Sequence, residues 1–180
     1  RAVAGRRVTF RSSGPETATP GARPAYRDAM QSAWESIDIY RGPEAFLASF
    51  AAVPPHEADL VAAHWLVSEV RNGAFPQFFS NSTGVLAPEA LQALRRMGLD
   101  AAAEALEGAM SYFDEPYPRE RALRQEMIDW VWDDDLDENQ QHNLDLMLEL
   151  SGEFLDAIGR EAEVFVAAAN AYAQSAGKDT

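Results

Sequence analysis

Carboxylates are the residues of this sequence with the most chemical potential. Between Glu126 and Glu163 thirteen acids face one base, Arg160, so these 38 residues hold −12 of the chain's net charge of −14. The run "DDDLDENQQHNL" sets Asp133, Asp135 and Asp137 at the first, third and fifth positions of a calcium loop. The loop then fails. Its sixth position is Glu138, where the sharp turn needs Gly, and its twelfth is Leu144, where a bidentate Glu is needed. A register starting at Asp135 fails in the same way, at Gln140 and Leu146. Zinc is no better served: His56 and His64 are not in an H-E-x-x-H pattern, and His142 stands alone beside the acidic run. Cysteine is absent, which removes thiolate nucleophiles, disulfides and cysteine-ligated metals. No G-x-S-x-G, Walker or dinucleotide fingerprint occurs. The sequence therefore assigns no catalytic residue, no metal ligand and no cofactor.

What the acids can do is attract a basic surface. Asp145, Glu149, Glu153 and Asp156 recur at i, i+4, i+8 and i+11, one face of a helix, opposite an apolar stripe of Leu144, Met147, Leu148, Phe154, Leu155 and Ile158. With Asp133, Asp134, Asp135, Asp137 and Glu138 they make an acidic face that draws in the Lys/Arg side of a nucleic-acid-binding protein and repels nucleic acid itself. Trp130 and Trp132 adjoin the cluster and could anchor such an interface. The alternative is a small-ligand binder or enzyme, with Glu69 acting in a pocket beside Gln77 and Asn81. Read more plainly, Glu69 pairs locally, with Arg71 or a backbone N–H.

The elements that must position these residues are helical. At 180 residues, 47% of them hydrophobic, the chain can bury one sizeable core. Residues 1–25 read as a flexible basic arm, residues 26–176 as one domain and 177–180 as a tail. Through Arg27 the chain has six Arg against Glu16 alone, a net of +5, with Ser, Gly, Pro and Thr in between. No apolar run approaches the ~18 residues of a membrane span, and the chain reads as soluble and cytoplasmic. The first residue is Arg rather than Met, and a native start upstream of it stays open.

Helical periodicity begins at Tyr26, with Met30, Trp34 or Ala33, and Ile37 inward. Pro54-Pro55 opens a stronger helix that ends at Asn72-Gly73, Pro88 suits the first turn of the next, and Asp100 is a candidate N-cap. Beyond "EPYPRE" the inward residues are Leu123, Met127 and Trp130. No segment alternates as a strand would. The expected fold is all-α, a single-domain bundle of six to eight helices behind the mobile arm.

Between two of these helices lies "NGAFPQFFSNSTG". Phe75, Phe78 and Phe79 share the face of one helical turn, so the segment reads as a short helix plugging the core, with Gln77 and Asn81-Ser82-Thr83 capping neighbouring helix ends. Glu69, Asn72-Gly73, Phe75, Gln77, Phe78, Asn81-Ser82 and Gly84, followed by "EALQALRRMGL", resemble the motif of a bacterial all-helical domain-of-unknown-function family typified by a neisserial DNA-mimic protein. The resemblance covers Trp34 to Phe113 by its motif and the C-terminal helices by pattern alone, and Ala74 departs from it where a second glycine is expected. It implies a helical fold, a mainly structural role for the motif and a protein-binding function, with a transcription factor or nucleoid protein displaced from DNA. At about 6 Å between ridge acids along the helix axis, the ridge supplies roughly half the linear charge density of a DNA strand. An immunity-type protein that binds a basic toxin is a related reading, and a homodimer is possible in either.

Overall fold

The computed structural model describes residues 25–176. The basic arm, up to residue 24, and the 177–180 tail lie outside the described residues. Eight α-helices follow in order: α1 Ala25–Ser36, α2 Pro43–Ala51, α3 Pro55–Ser80, α4 Ala87–Arg96, α5 Asp100–Met110, α6 Arg121–Ile128, α7 Glu138–Ile158 and α8 Glu163–Ala176. Two 3-10 turns, Ser82–Leu86 and Asp129–Trp132, join them, and no strand occurs among the described residues. The fold is thus the all-α bundle that the periodicity predicts. Prolines open α2 and α3, and Pro88 sits in the first turn of α4, where a missing N–H costs nothing. Asp137 starts α7 through a reciprocal capping box with Gln140. Asp100 is the first residue of α5, not its cap; Leu99 holds that position.

Helix α3 is the axis of the bundle. Leu60, Val61, Ala62, Ala63 and Leu66 are all fully buried, because α1, α4, α6, α7 and α8 surround it. Its one buried carboxylate, Asp59, accepts from Arg96 of α4 and from the Tyr172 hydroxyl of α8, both at 2.6 Å. Burial and that bond to Asp59 push the Tyr172 hydroxyl up to about 12. One hydrophobic core runs from Tyr26 to Ala169. Of the paired expectation in α1, Ala33 is the buried residue; Trp34 lies 42% exposed with its ring 4.9 Å from that of Trp65.

The break expected at Asn72-Gly73 falls inside α3. Gly73 (φ −160°, ψ 31°) and Ala74 (φ 64°, ψ −175°) leave helical geometry, and the chain resumes as a short helix from Phe75. Phe75, Phe78 and Phe79 are fully buried; Phe75 stacks on Phe79, and the other contacts, with one another and with Phe113 and Phe154, are tilted or edge-on. Phe75 at its start and Phe79 near its end are fully buried, so the backbone groups of these two residues need partners inside the protein. The Phe75 N–H donates to Ser151 Oγ of α7 at 3.0 Å. At the other end α6 supplies the donors: Arg124 Nε to the Phe79 carbonyl at 2.9 Å, Arg124 Nη2 to Asn81 O at 2.9 Å, and Arg121 and Gln125 to Ser80 O.

Arg124 is therefore the buried residue of α6, together with Ile128, while Leu123, expected inward, is 50% exposed. Among the described residues its guanidinium forms no ion pair with a carboxylate. Four carbonyls, those of Phe79, Asn81, Pro118 and Arg119, accept its N–H groups, and the negative end of the α3 dipole faces its charge.

Three tests follow from this packing. Ala74 holds a conformation that is essentially reserved for glycine, so Ala74→Gly should raise unfolding free energy by about 1 kcal/mol, the relieved strain less the entropy of the freer unfolded chain; urea denaturation measures it. Arg124→Met keeps the volume and takes the donor from one buried carbonyl, that of Phe79, and from three part-buried ones; at about 1 to 3 kcal/mol for a buried group and less for the others, the same experiment should record a loss of about 3 kcal/mol.

His64, half-buried between the rings of Tyr26 and Trp34, is lowered from 6.5 to about 4 by burial and then by the Arg27 charge. The folded state resists the proton that the unfolded state takes up at 6.5, so stability should fall as pH drops from 6.5 to about 4 and level off below. The difference between wild type and His64→Phe across that window should reach up to about 3 kcal/mol.

Candidate functional site

The acids of α7 lie where the helical period puts them. Asp145, Glu149, Glu153 and Asp156 are all exposed along one side of a 21-residue helix, and Met147, Ser151, Phe154 and Ile158 fill the buried side. The apolar stripe is narrower than expected: Leu148 is 47% exposed, and Ser151 occupies the inward position because its hydroxyl is needed at Phe75. Glu138, the first residue of α7, is exposed too, as are Asp133, Asp134 and Asp135 in the segment that leads into it. Asp137 belongs to the fold instead, since its carboxylate is engaged by the Gln140 N–H at 2.8 Å. Asp145 accepts from Gln141 Nε2 at 2.8 Å, and Asp156 pairs with Arg160 at 3.2 Å, both side chains being largely exposed. Pairs of that kind are weak and give way readily to a better partner. Among the described residues, no three His, Asp or Glu side chains gather as metal ligands would.

Beside the ridge runs a groove of about 530 Å³ between α5 and α7. Ala109, Tyr112, Leu146 and Leu150 form its apolar part, and Glu149 and Glu153 stand on its α7 side. Gly108 lets the two helices approach, since a Cβ there would meet Leu150 Cδ2 at 3.1 Å. The ridge is thus flanked by exposed leucines, with Leu146 toward the groove and Leu148 on the other side. Trp132, 60% exposed, adjoins the loop acids, whereas Trp130 is half-buried with its ring 5.8 Å from that of Tyr112.

The family motif forms a separate, inward-facing cluster. Glu69 Oε2 accepts from Gln77 Nε2 at 2.9 Å and Asn81 Nδ2 at 2.8 Å, and Oε1 from Thr83 Oγ1 at 3.4 Å. Of the side chains expected to cap helix ends, Gln77, Asn81 and Thr83 are thus engaged by Glu69. The local partner expected for Glu69 is elsewhere as well, with Arg71 paired to Glu161 of the α7–α8 turn. Gly73 leaves room for the Gln77 side chain, which a Cβ would meet at 2.1 Å, and a Cβ at Gly84 would lie 2.6 Å from the Phe78 carbonyl. Asn72 is exposed and Ser82 half-buried. Arg124, Ser151 and Asp59 complete the interior and were missed in sequence, because each acts on a partner far along the chain.

Comparison with known proteins agrees with the motif. A family model described as DMP19-like protein matches residues 51–176. No curated protein and no solved structure matches the chain. The match starts later than the resemblance read from Trp34 and carries on past Phe113, through the acidic α7 to the end of α8. With most of the described helices inside the matched span, this chain belongs to the DMP19-like protein family.

Proposed function

We propose that this protein is a non-catalytic binding module whose acidic face engages a basic, DNA-binding protein by standing in for a phosphate backbone. The observation that carries this reading is the set Asp145, Glu149, Glu153 and Asp156, exposed on one side of a rigid helix whose other side is anchored in the core. Helix geometry fixes the axial spacing between successive acids at about 4.5 to 6 Å, so the charges are preorganised and lose little freedom on binding. The exposed loop acids Asp133, Asp134 and Asp135 precede α7 and add charge near its N-terminal end, and Glu138 lies on its first turn. Family membership and the DNA-mimic resemblance point the same way. A basic toxin in place of a transcription factor or nucleoid protein would meet the same face, and the identity of the captured partner separates the two. The small-ligand reading loses ground, since the Glu69 carboxylate is turned onto the motif's own side chains.

The test is affinity capture from a bacterial lysate with wild type and the variant Asp145→Asn, Glu149→Gln, Glu153→Gln, Asp156→Asn. Wild type should retain a basic DNA-binding protein that salt and competing duplex DNA release. The variant should bind it at least about tenfold more weakly, with a thermal midpoint close to that of wild type because the four sites are exposed. Undiminished capture by the variant would overturn the reading.

A further inference from the structure

The acidic ridge does not stand on a uniformly polar surface, and its surroundings say what kind of basic partner it suits. A phosphate backbone is charged and hydrated along its whole length; the face of α7 alternates acids with exposed leucines. On the α5 side this becomes a groove, with Leu146 44% exposed at its edge, Leu150 and Ala109 within it and the Tyr112 ring beside the half-buried Trp130. Its volume of about 530 Å³ is in the range of sites that take ligand-sized groups. Gly108 against Leu150, and Tyr112 lining the groove with Asn143 and Leu146, set α5 and α7 antiparallel. Continued one turn past the groove's lining, that register puts the exposed Glu104 about level with Glu153, so both helices carry an acid near this end.

We propose, resting on the acidic-face reading above, that this groove receives a basic amphipathic helix of the partner. Apolar side chains at i and i+4 of that helix enter between α5 and α7, while its Lys and Arg residues meet Glu149, Glu153 and Glu104. The chemistry is that of helix-in-groove recognition: charge brings the partner in and sets its register, and burial of the apolar anchors slows its release. A second copy of this chain fits poorly, because beyond residue 27 the chain carries −19 and its own helices would bring acid to acid. The segment before α1, with its Pro, Gly and Ser, lacks the helical spacing of anchors.

The experiment uses the full chain and two labelled helical peptides of about 15 residues with equal numbers of lysines. One carries leucines at i, i+3, i+4 and i+7; the other has alanines there. Fluorescence anisotropy should give tighter binding of the leucine peptide by about tenfold or more. Leu146→Glu adds negative charge to the face but spoils the groove, so it should weaken the leucine peptide by a similar factor. Leu148→Glu adds the same charge on the far flank of the ridge and should leave that peptide's affinity unchanged or raised. Thermal melts check that both variants fold, and Leu146→Ala, which only trims the groove, should lower affinity in the same direction.

Equal affinity for the two peptides, or tighter binding after Leu146→Glu, would mean that charge alone is read, and would overturn the groove proposal while leaving the acidic face intact. Equal binding of both peptides by the four-site neutralised variant and wild type would remove the acidic face itself. Self-association of the wild type that Leu146→Glu abolishes would assign the groove to a second copy and also overturn the proposal.

Discussion

A short helix that carries three fully buried phenylalanines imposes its needs on everything around it. Once the chain breaks at Gly73-Ala74 and restarts at Phe75, three phenylalanines go into the core and take backbone groups with them. A buried N–H or carbonyl without a partner costs about 1 to 3 kcal/mol, so neighbouring helices must supply donors and acceptors at both ends. Ser151 does so from α7, and Arg121, Arg124 and Gln125 from α6. The placement of two other helices is thereby tied to one turn of α3.

That tie has a functional side. Ser151 can reach Phe75 only if its face of α7 is turned inward, and a helix whose Ser151 side is buried must present Asp145, Glu149, Glu153 and Asp156 outward. The interior requirement thus orients the acidic ridge and the groove that borders it. Glu69 reinforces the same turn from the other side by holding Gln77, Asn81 and Thr83 together. Motif and acidic face are separate surfaces, but one hydrogen-bonded restart of a helix relates them rigidly.

The cations of the folded domain are used in the same economical way. Arg96 neutralises Asp59, Arg119 pairs with Glu89 and reaches the Val85 carbonyl, and Arg124 is spent on backbone carbonyls. Arg160 is the one base between Glu126 and Glu163, and it answers Asp156 at the surface. Excess negative charge is left on the outside of the C-terminal half, where repulsion between acids is screened by water and salt.

By itself the sequence determined the helices, their proline starts, the break after Asn72, the burial of Phe75, Phe78 and Phe79, and the outward side of α7, because each follows from local spacing. It did not determine which of two adjacent stripes would face a neighbour. Leu123 and Leu148 look like core and are exposed, while Arg124 and Ser151 look like surface and are buried. Long-range packing settles those positions, since the Phe75–Ser151 bond spans 76 residues and the Phe79–Arg124 bond 45. The groove was equally hidden. It exists because α5 and α7, separated by the whole of α6, come close at Gly108 and Leu150, and periodicity describes one helix at a time.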